Sequence, residues 1–485
     1  MDIYLHNTYT NTDELFTPIQ KGVVSMYNCG PTVYNYAHIG NMRSFVFADT
    51  LRRMFEWNGY TVKQIMNITD VGHLVGDGDA GEDKVEKMAR AAGKTAAEVT
   101  LFYTDAFMKD LEALSINPAH ITFPKATEHI PEQIAMIQDL EEKGFTYVIS
   151  DGVYFDTAKF PDYGKLGHIN LAGLEDGARI GENNEKRNLT DFALWKFSPR
   201  VPLGEDNIIE KRQQEWESPW GVGFPGWHIE CSAMSIKYLG DEFDIHTGGI
   251  DHIPVHHNNE IAQAVCSGHR FTHYWMHNAF LNIRTGNEQV KMAKSGDNFI
   301  RVPTLTEQGF DPLAYRYLLL TSHYSSPMEF SFEALKGAET ALKRLRRTLH
   351  DFDTELSASS ADSPMRRATS DEHILAQYRQ KFTEYINKDL DIPKALALIW
   401  EVLKDTQLCD ADKKSLILSF DMVLGLNLHI HQEAEIPLEV QAMILERNTA
   451  RENKDFALSD SLRTQIESLG FEVLDTSEGT KVEKR

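Results

Sequence analysis

Two short polar segments carry residue types that are suited to binding phosphate groups. The first, His38-Ile39-Gly40-Asn41, follows a predicted strand and turn and begins a predicted helix. A helix N-terminus presents unpaired N–H groups and a partial positive charge, and the imidazole adds a hydrogen-bond donor. The second, Lys291-Met292-Ala293-Lys294-Ser295, is flanked by glycine-containing turns, and its two lysines could neutralise charge on a polyphosphate. Taken alone, the first segment is more often a polar helix cap and the second more often a solvated surface loop.

Four other side chains have the chemistry of a metal site. Cys29, Cys231, His256 and Glu260 would offer two thiolates, an imidazole and a carboxylate, which is a plausible set for zinc. His256 and Glu260 are four positions apart, so on a helix they would share a face. The two cysteines are far apart in sequence, and spacing alone does not show that they meet. A buried structural role for each cysteine is the alternative.

Taken together and in this order, the two phosphate-binding segments resemble the HIGH and KMSKS signatures of class I aminoacyl-tRNA synthetases. They depart from these signatures at Asn41 and Ala293. Asparagine still donates a hydrogen bond, and position 293 lies between the two lysines, so we expect activity to survive both changes. Residues 27–34, 226–234 and 256–260 are similar to segments that mark cysteinyl-tRNA synthetases. By this resemblance, which runs from about residue 20 to the C-terminus, the chain is identified as a member of that family.

The resemblance implies a two-step reaction in which ATP, with Mg²⁺, activates L-cysteine as an adenylate before transfer to the 3′ end of tRNA(Cys). Family zinc ligands would correspond to Cys29, Cys231, His256 and Glu260. Zinc prefers a thiolate to a neutral hydroxyl, so it would distinguish cysteine from serine without an editing domain. The residues expected to act in catalysis are His38, Asn41, Lys291 and Lys294.

Further site residues follow from the same resemblance and from residue chemistry. The expected ATP-binding residues are His38, Gly40, Asn41, Gly249, Asp251 and Lys294. The expected amino-acid-binding residues are Gly30, Thr32, Thr69, Trp227 and His228. Arginines contact phosphates, aromatic rings stack on bases and carboxylates accept from base amino groups. On these grounds the candidate tRNA-binding residues are Arg344, Arg347, Arg451, Phe456, Asp460 and Asp475.

Two other functions remain open at this stage. A ligase could use the same adenylate chemistry on a small amine, as in mycothiol-pathway relatives of this family, but those resemble the catalytic half alone, whereas this chain continues with helices and a terminal module. A non-catalytic RNA-binding paralogue is the second alternative. Such proteins usually lose phosphate-handling residues, and here His38, Lys291 and Lys294 persist.

The elements that must position these residues predict an α/β fold. Residues 23–29 form a short run that is rich in apolar and β-branched side chains, which predicts a buried strand that ends at Gly30-Pro31. A helix is predicted from about 38 to 58 and a second strand over 60–69. This β-α-β unit favours parallel strands in a Rossmann-like sheet. Residues from about 84 to 115 have helical periodicity.

Changes in composition and in predicted secondary structure along the chain predict six regions. A Rossmann-like catalytic domain would occupy residues 1–120 and 206–300, with the zinc site and the KMSKS-like loop in its second half. Residues 121–205 would form a connective insertion that contacts the tRNA acceptor end. A stem-contact region would follow at 301–340, then an α-helical anticodon-binding domain at 341–430. Residues 431–485 would form a small anticodon-recognition module.

Composition narrows the class of protein further. The chain has 485 residues, with 49 Lys and Arg against 72 Asp and Glu, for a net charge of −23. This balance argues against a protein that coats nucleic acid, so tRNA would be held along a restricted basic track. Four scattered cysteines exclude a disulfide framework. We expect a soluble, cytoplasmic monomer without a membrane segment.

Overall fold

The computed structural model describes residues 1–72, 83–167, 185–198, 202–203, 208–209, 212–285, 288–291, 299–359, 372–430, 437–476 and 479–484. Within these ranges, every helix falls short of the length and apolarity needed to cross a membrane. The chain divides into two units, residues 1–428 and 429–485.

The first unit begins with the predicted β-α-β arrangement. A short hairpin precedes it, and the two long strands are parallel, with Val23 opposite Thr61 and Asn28 opposite Met66. The helix between them is capped at its start by the His38 side chain, and Gly59 follows its end with φ +83°. The elements are β1 (Tyr4–Asn7), β2 (Thr12–Leu15), β3 (Val23–Asn28), α1 (Ile39–Trp57) and β4 (Thr61–Met66).

The predicted helical stretch at 84–115 is divided into two helices. Gly93 ends the first in the left-handed conformation, at φ +63°. Thr95 then caps the second, and its side chain exchanges hydrogen bonds with Glu98 in a capping box. The elements are α2 (Lys84–Ala92), α3 (Ala96–Ala113) and β5 (Ile121–Thr122).

A four-stranded antiparallel sheet follows, and it interrupts the parallel sheet along the chain. Its strand order is β11-β8-β7-β6, and the buried Trp195 lies at its centre. A separate antiparallel pair of two-residue strands, β9 with β10, also belongs to this part of the chain. The elements are α4 (Ile130–Glu142), β6 (Thr146–Ile149), β7 (Gly152–Phe155), β8 (Phe192–Phe197), β9 (Pro202–Leu203), β10 (Ile208–Ile209) and β11 (Gly223–Pro225).

Two more strands complete the parallel sheet and confirm the predicted Rossmann-like class. The full order is β13-β12-β3-β4-β5, so the chain moves outward from β3 in one direction and later returns on its other side. In sheets of this type a crevice opens at the carboxyl ends of the strands where the order reverses, here between β3 and β12. The elements are α5 (Trp227–Leu239), β12 (Glu242–Gly249), α6 (Asn258–Cys266) and β13 (Phe271–Asn278).

The remainder of the first unit is a three-stranded sheet followed by helices. β14 pairs antiparallel with β15 and parallel with β16. Phe382 and Phe420 stack at 4.0 Å inside the helical region, in the same apolar core as the parallel sheet. The elements are β14 (Leu281–Thr285), β15 (Glu288–Lys291), α7 (Val302–Glu307), α8 (Pro312–Leu320), β16 (Met328–Phe330), α9 (Phe332–Ser359), α10 (Glu372–Asn387), α11 (Ile392–Lys404) and α12 (Asp410–Leu424).

The second unit has a small core of its own. Two helices pack with an antiparallel hairpin around Val440, Ile466, Phe471, Val473 and Val482. The elements are α13 (Leu438–Glu452), α14 (Phe456–Ser468), β17 (Phe471–Thr476) and β18 (Gly479–Lys484).

Candidate functional site

A cavity of about 320 Å³ opens at the crevice between β3 and β12. It is bounded by the turn after β3, the first turns of α1, the start of α5 and the loop after β12. Nine of the residues predicted from the sequence line it: Cys29, Gly30, Thr32, His38, Gly40, Asn41, Trp227, Gly249 and Asp251. The topology thus brings most of the predicted phosphate-binding and amino-acid-binding residues to one opening.

The HIGH-like segment builds the start of α1 through its own side chains. Nδ1 of His38 accepts from the backbone N–H of Asn41 at 3.0 Å, and Oδ1 of Asn41 accepts from the backbone N–H of His38 at 3.2 Å. A neutral imidazole whose Nδ1 accepts must carry its hydrogen on Nε2, and the other polar atom of the Asn41 amide, Nδ2, is a donor. The backbone N–H of Asn41 therefore fixes the donor form of His38, while the Asn41 side chain, which departs from the family signature, completes the cap by accepting from the His38 N–H.

The four predicted metal ligands meet beneath this cavity. Their ligand atoms all lie within 4.8 Å of one another, and all four residues are buried. Cys29 follows β3, Cys231 lies on α5, and the other two lie on the π-type turn Ile253–His257 and on α6. Nε2 of His256 is 3.0 Å from Oε1 of Glu260, which is 3.9 Å from Sγ of Cys29. Two sulfurs, one imidazole nitrogen and one carboxylate oxygen form a donor set that suits zinc.

Further histidines surround this set and hold its members in place. Nδ1 of His228 is 2.8 Å from Nδ1 of His256, which leaves Nε2 of His256 directed at Glu260. Nε2 of His246 is 2.9 Å from Oε2 of Glu260, and Nε2 of His257 is 3.2 Å from Sγ of Cys29. Groups that bond to metal ligands in this way fix ligand orientation. A second set, Cys29, His246, His257 and Glu260, also meets the distance condition for a metal.

The pKa shifts of the side chains differ between the two sets of candidate metal ligands. Burial lowers the pKa of His256, but Glu260 and Cys231 outweigh burial and raise it to about 10. A hydrogen bond with Cys29 lowers the pKa of Cys231, against the opposing effect of burial. Burial and the neighbouring imidazoles hold the pKa of His257 well below its usual value. Burial alone would raise the pKa of Glu260, but His246 and His256 lower it. Negative charge is therefore favoured on Cys231 and Glu260, where a cation would neutralise it.

Two predicted amino-acid-binding residues lie behind the cavity lining. Thr69 is buried; its Oγ1 accepts from Nδ2 of Asn67 at 2.9 Å and donates to Oε2 of Glu230 at 3.1 Å. His228 is buried against His256, and the Trp227 ring lies 4.6 Å from the His256 ring. Trp227 therefore lies between the cavity wall and the candidate metal ligands, whereas Thr69 and His228 are not among the residues that line the cavity.

Gly30 is required at its position by the close approach of another segment. Its N–H donates to Oδ1 of Asn67 at 2.7 Å. A Cβ atom at Gly30 would lie 1.7 Å from the carbonyl oxygen of Asn67, which no side chain tolerates. The glycine thus allows the turn after β3 to press against the end of β4.

Of the KMSKS-like segment, only the first residue belongs to the part of the chain that the structure describes. Lys291 is the last residue of β15, whereas Lys294 lies outside the described residues. The chain re-enters the described ranges at Phe299, whose ring is 5.9 Å from the His38 ring. Lys291 pairs with Asn282, which is next to the cavity-lining Leu281, so the described segments on either side of residues 292–298 both lie near the cavity.

The candidate tRNA-binding residues fall in both units. In the first unit Arg344 and Arg347 are exposed on α9, and the Arg344 guanidinium lies 5.3 Å from the Trp400 ring centroid. In the second unit Phe456 is 64% exposed and Asp460 is exposed.

Asp475 is engaged within the second unit. Its Oδ1 accepts from Nη1 of Arg447 at 2.7 Å, and Arg451 donates to the same oxygen. The carboxylate predicted to read a base is thus bonded to arginines, one of which, Arg451, was itself a candidate.

Sequence reasoning missed several residues that line the cavity. Asn35 and Ser44 lie close in sequence to the HIGH-like segment, so proximity to it was a usable signal. Lys84, on α2, and Asn278, at the end of β13, reach the cavity only through tertiary structure. Nζ of Lys84 lies 5.6 Å from the Tyr34 ring centroid, which places a cation at the cavity wall.

A family profile and curated relatives match this chain over most of its length. The profile of the family described as "tRNA synthetases class I (C) catalytic domain" matches residues 15–340. Cysteine–tRNA ligase 1 of Burkholderia lata is 46% identical over 99% of this chain and 97% of its own length. The cysteine–tRNA ligase of Treponema denticola is 40% identical over the whole of both chains.

Solved structures share the fold at much lower identity. A methionyl-tRNA synthetase of Mycobacterium tuberculosis, bound by methionyl-adenylate, has a TM-score of 0.55 and 17% identity over 90% of this chain and 96% of its own. LeuRS of Agrobacterium radiobacter, in a ternary complex with tRNA, has a TM-score of 0.58 and 13% identity over 85% of each chain.

Proposed function

The chain belongs to the cysteine–tRNA ligase family of class I aminoacyl-tRNA synthetases, and from this premise we propose that it uses ATP to join L-cysteine to tRNA(Cys). The observation that carries the proposal is the meeting of two features in one cavity. His38 and Asn41 line its phosphate-binding side, and Cys29 lies at its boundary with the buried metal-binding set. The first feature suits nucleotide chemistry, and the second suits a thiol substrate.

We assign zinc to Cys29, Cys231, His256 and Glu260. Their donor types and close approach fit this ion, and His228 and His246 support two of the four ligands. When bound, zinc supplies a strong preference for thiolate over a neutral hydroxyl, which separates cysteine from serine. Trp227, beside His256, would cover the amino acid, while Gly30 and Thr32 would bound it from the turn after β3.

In the first step a carboxylate oxygen of cysteine attacks the α-phosphorus of ATP, a new P–O bond forms, and the bond to pyrophosphate breaks. Nε2 of His38 and Nδ2 of Asn41 would donate to phosphate oxygens, where charge develops, and the α1 N-terminus would add its partial positive charge. Lys291 and Lys294 would neutralise pyrophosphate, with Mg²⁺ on the nucleotide. Gly40, Gly249 and Asp251 would hold the nucleoside.

In the second step a hydroxyl of the terminal ribose of tRNA attacks the adenylate carbonyl and releases AMP. The insertion at 121–205 would contact the acceptor end, the region at 301–340 the stem, and residues 341–430 and 431–485 the anticodon side. Exposed Arg344 and Arg347 would bind phosphates, and exposed Phe456 would stack on a base.

The decisive experiment is a charging assay with cysteine and serine compared on tRNA that carries a GCA anticodon. We expect cysteine-dependent ATP–pyrophosphate exchange, charging with cysteine alone, and a sharp loss of exchange in Lys294→Ala. Absence of exchange in a zinc-loaded preparation would refute the ligase. Exchange without tRNA charging would instead indicate a small-amine acceptor. We also propose a monomer that works in the cytoplasm, which light scattering and cell fractionation test.

A further inference from the structure

Arg43 is a buried arginine on α1 that lies five positions after His38. It is 3% exposed and is not among the residues that line the cavity. Its guanidinium donates to four backbone carbonyl oxygens, and the two shortest bonds are Nη1 to Phe280 at 2.5 Å and Nη2 to Ser326 at 2.6 Å. Nη2 also donates to His323 at 3.3 Å and to Tyr324 at 3.2 Å. Arg43 thus joins α1 to two other segments without contacting the cavity.

One of those segments begins the hairpin that leads to the KMSKS-like segment, and the other leads into β16, which pairs with the first strand of that hairpin. Phe280 immediately precedes β14, and β14 pairs with β15, which ends at Lys291. The oxygen of Phe280 also accepts from the N–H of Met328 at 3.1 Å. Because Phe280 and Leu281 line the cavity, the position of this hairpin base sets one of its walls.

The chain that leaves the KMSKS-like segment is bonded to the same helix. The N–H of Ile39 donates to the carbonyl oxygen of Ile300 at 2.9 Å. The Tyr315 hydroxyl donates to the carbonyl oxygen of Ile39 at 2.6 Å. The described segment after residue 298 is therefore bonded directly to the first turn of α1, whereas β15 is connected to α1 through β14 and the Arg43–Phe280 bond.

An arginine is suited to this task in a way that a lysine is not. Its planar guanidinium offers five N–H donors in a fixed fork, enough to serve several carbonyls from different loops at once. A lysine has three donors on one nitrogen, so it would retain only part of this arrangement. Charge-assisted hydrogen bonds in a buried setting are also stronger than neutral ones.

We propose that Arg43 is a positioning residue that holds the β14–β15 hairpin against the start of α1, and so fixes Lys291, the last residue of β15, relative to His38. Arg43 itself touches neither substrate nor metal. This inference rests on the proposed function, because its consequence is measured as pyrophosphate exchange. A displacement of about 1 Å in such a constellation costs as much as 100-fold in rate.

The test compares Arg43→Met with Arg53→Met. Arg53 lies near the other end of α1, and it also donates to backbone carbonyls, those of Ser115 at 2.6 Å and Met422 at 3.0 Å. Arg53→Met therefore shows the effect of removing from the same helix an arginine that donates to backbone carbonyls elsewhere. We expect Arg43→Met to lower kcat for cysteine-dependent exchange by about 10- to 100-fold, with KM for cysteine and metal content unchanged. We expect Arg53→Met to keep kcat, whatever its loss of thermal stability.

A structural measurement separates this inference from the proposed function. Hydrogen exchange of the amides at 281–285 should become faster in Arg43→Met and stay unchanged in Arg53→Met, whether or not the enzyme ligates cysteine. If Arg43→Met does not yield folded protein, Arg43→Lys takes its place and should show a smaller change in the same direction. Unchanged protection at 281–285, unchanged kcat, or an equal fall of kcat in Arg53→Met would overturn the proposal. Absence of ATP–pyrophosphate exchange in the wild-type protein would refute the ligase alone.

Discussion

Substitution of Cys231 by serine tests which of two overlapping groups of side chains holds the metal. Cys29 and Glu260 belong to both groups, so only the other two members of each discriminate between them. Cys231 and His256 complete the group assigned here to zinc, whereas His246 and His257 complete the alternative. Serine matches cysteine in size, so Cys231→Ser changes the ligand chemistry while it keeps the packing around α5.

The expected magnitude follows from the number of ligands. Structural zinc sites with four ligands bind with about 10–16 kcal/mol, which is about 2.5–4 kcal/mol per ligand. Loss of one ligand at Cys231 should then weaken binding by about 100- to 1,000-fold. His257 lies 3.2 Å from the Cys29 sulfur and acts through it, and the loss of such a neighbour costs about 10- to 100-fold.

The assay is competition for zinc with a chromophoric chelator at fixed pH, on Cys231→Ser, His256→Gln, His246→Gln and His257→Gln. Thermal denaturation of each protein confirms that the compared samples are folded. We expect the first two variants to lose more affinity than the last two. The reverse order would show that the histidine-rich group holds the metal. Zinc affinity equal to that of the wild-type protein in all four variants would show that neither group is the site.

Three further predictions concern stability and the phosphate-binding helix. Asn41→Asp keeps the oxygen that accepts from His38 but removes the amide donor, so the melting temperature should be maintained while pyrophosphate exchange falls; unchanged exchange would show that Asn41 only caps α1. Arg316→Met removes one of three arginine partners of the buried Asp49, at 2.7 Å, and the donor to two backbone carbonyls, so urea denaturation should show a loss of about 2–5 kcal/mol; a loss below about 1 kcal/mol would contradict this account. Burial raises the pKa of Asp110 from 3.8 to about 7. Its folded state therefore binds more protons than the unfolded state, and its contribution to stability falls as the pH rises between those values. Asp110→Asn should flatten that part of the stability profile, and an unchanged profile would show that Asp110 does not titrate there.

Local patterns were sufficient to predict the elements around the first signature. The apolar run that forms β3, the helix that becomes α1 and the strand β4 were all expected, because short-range periodicity and turn residues determine them. The interruption between α2 and α3 is visible in the sequence as Gly93 and Thr95, but helical periodicity on both sides concealed it.

Arg43 shows where such patterns stop being informative. An arginine on an amphipathic helix reads as solvated, yet this one is buried because α1 packs its first turns against the base of the β14–β15 hairpin. Asp475 is a similar case, since the sequence could not show that β17 would bring it beside Arg447 on α13. In both cases the deciding partner is distant in sequence.

The sequence by itself determined the donor atoms available to the site and the local elements that carry them, and through resemblance it predicted their roles. Only the tertiary structure decided which donors meet. Cys29 lies beside Cys231 because β3 and β12 are neighbours in the sheet and α5 leads into β12. His228, His246 and His257 become supporting groups for the same reason. Strand order is fixed by the burial of whole faces of the sheet, a long-range free energy that no local pattern encodes.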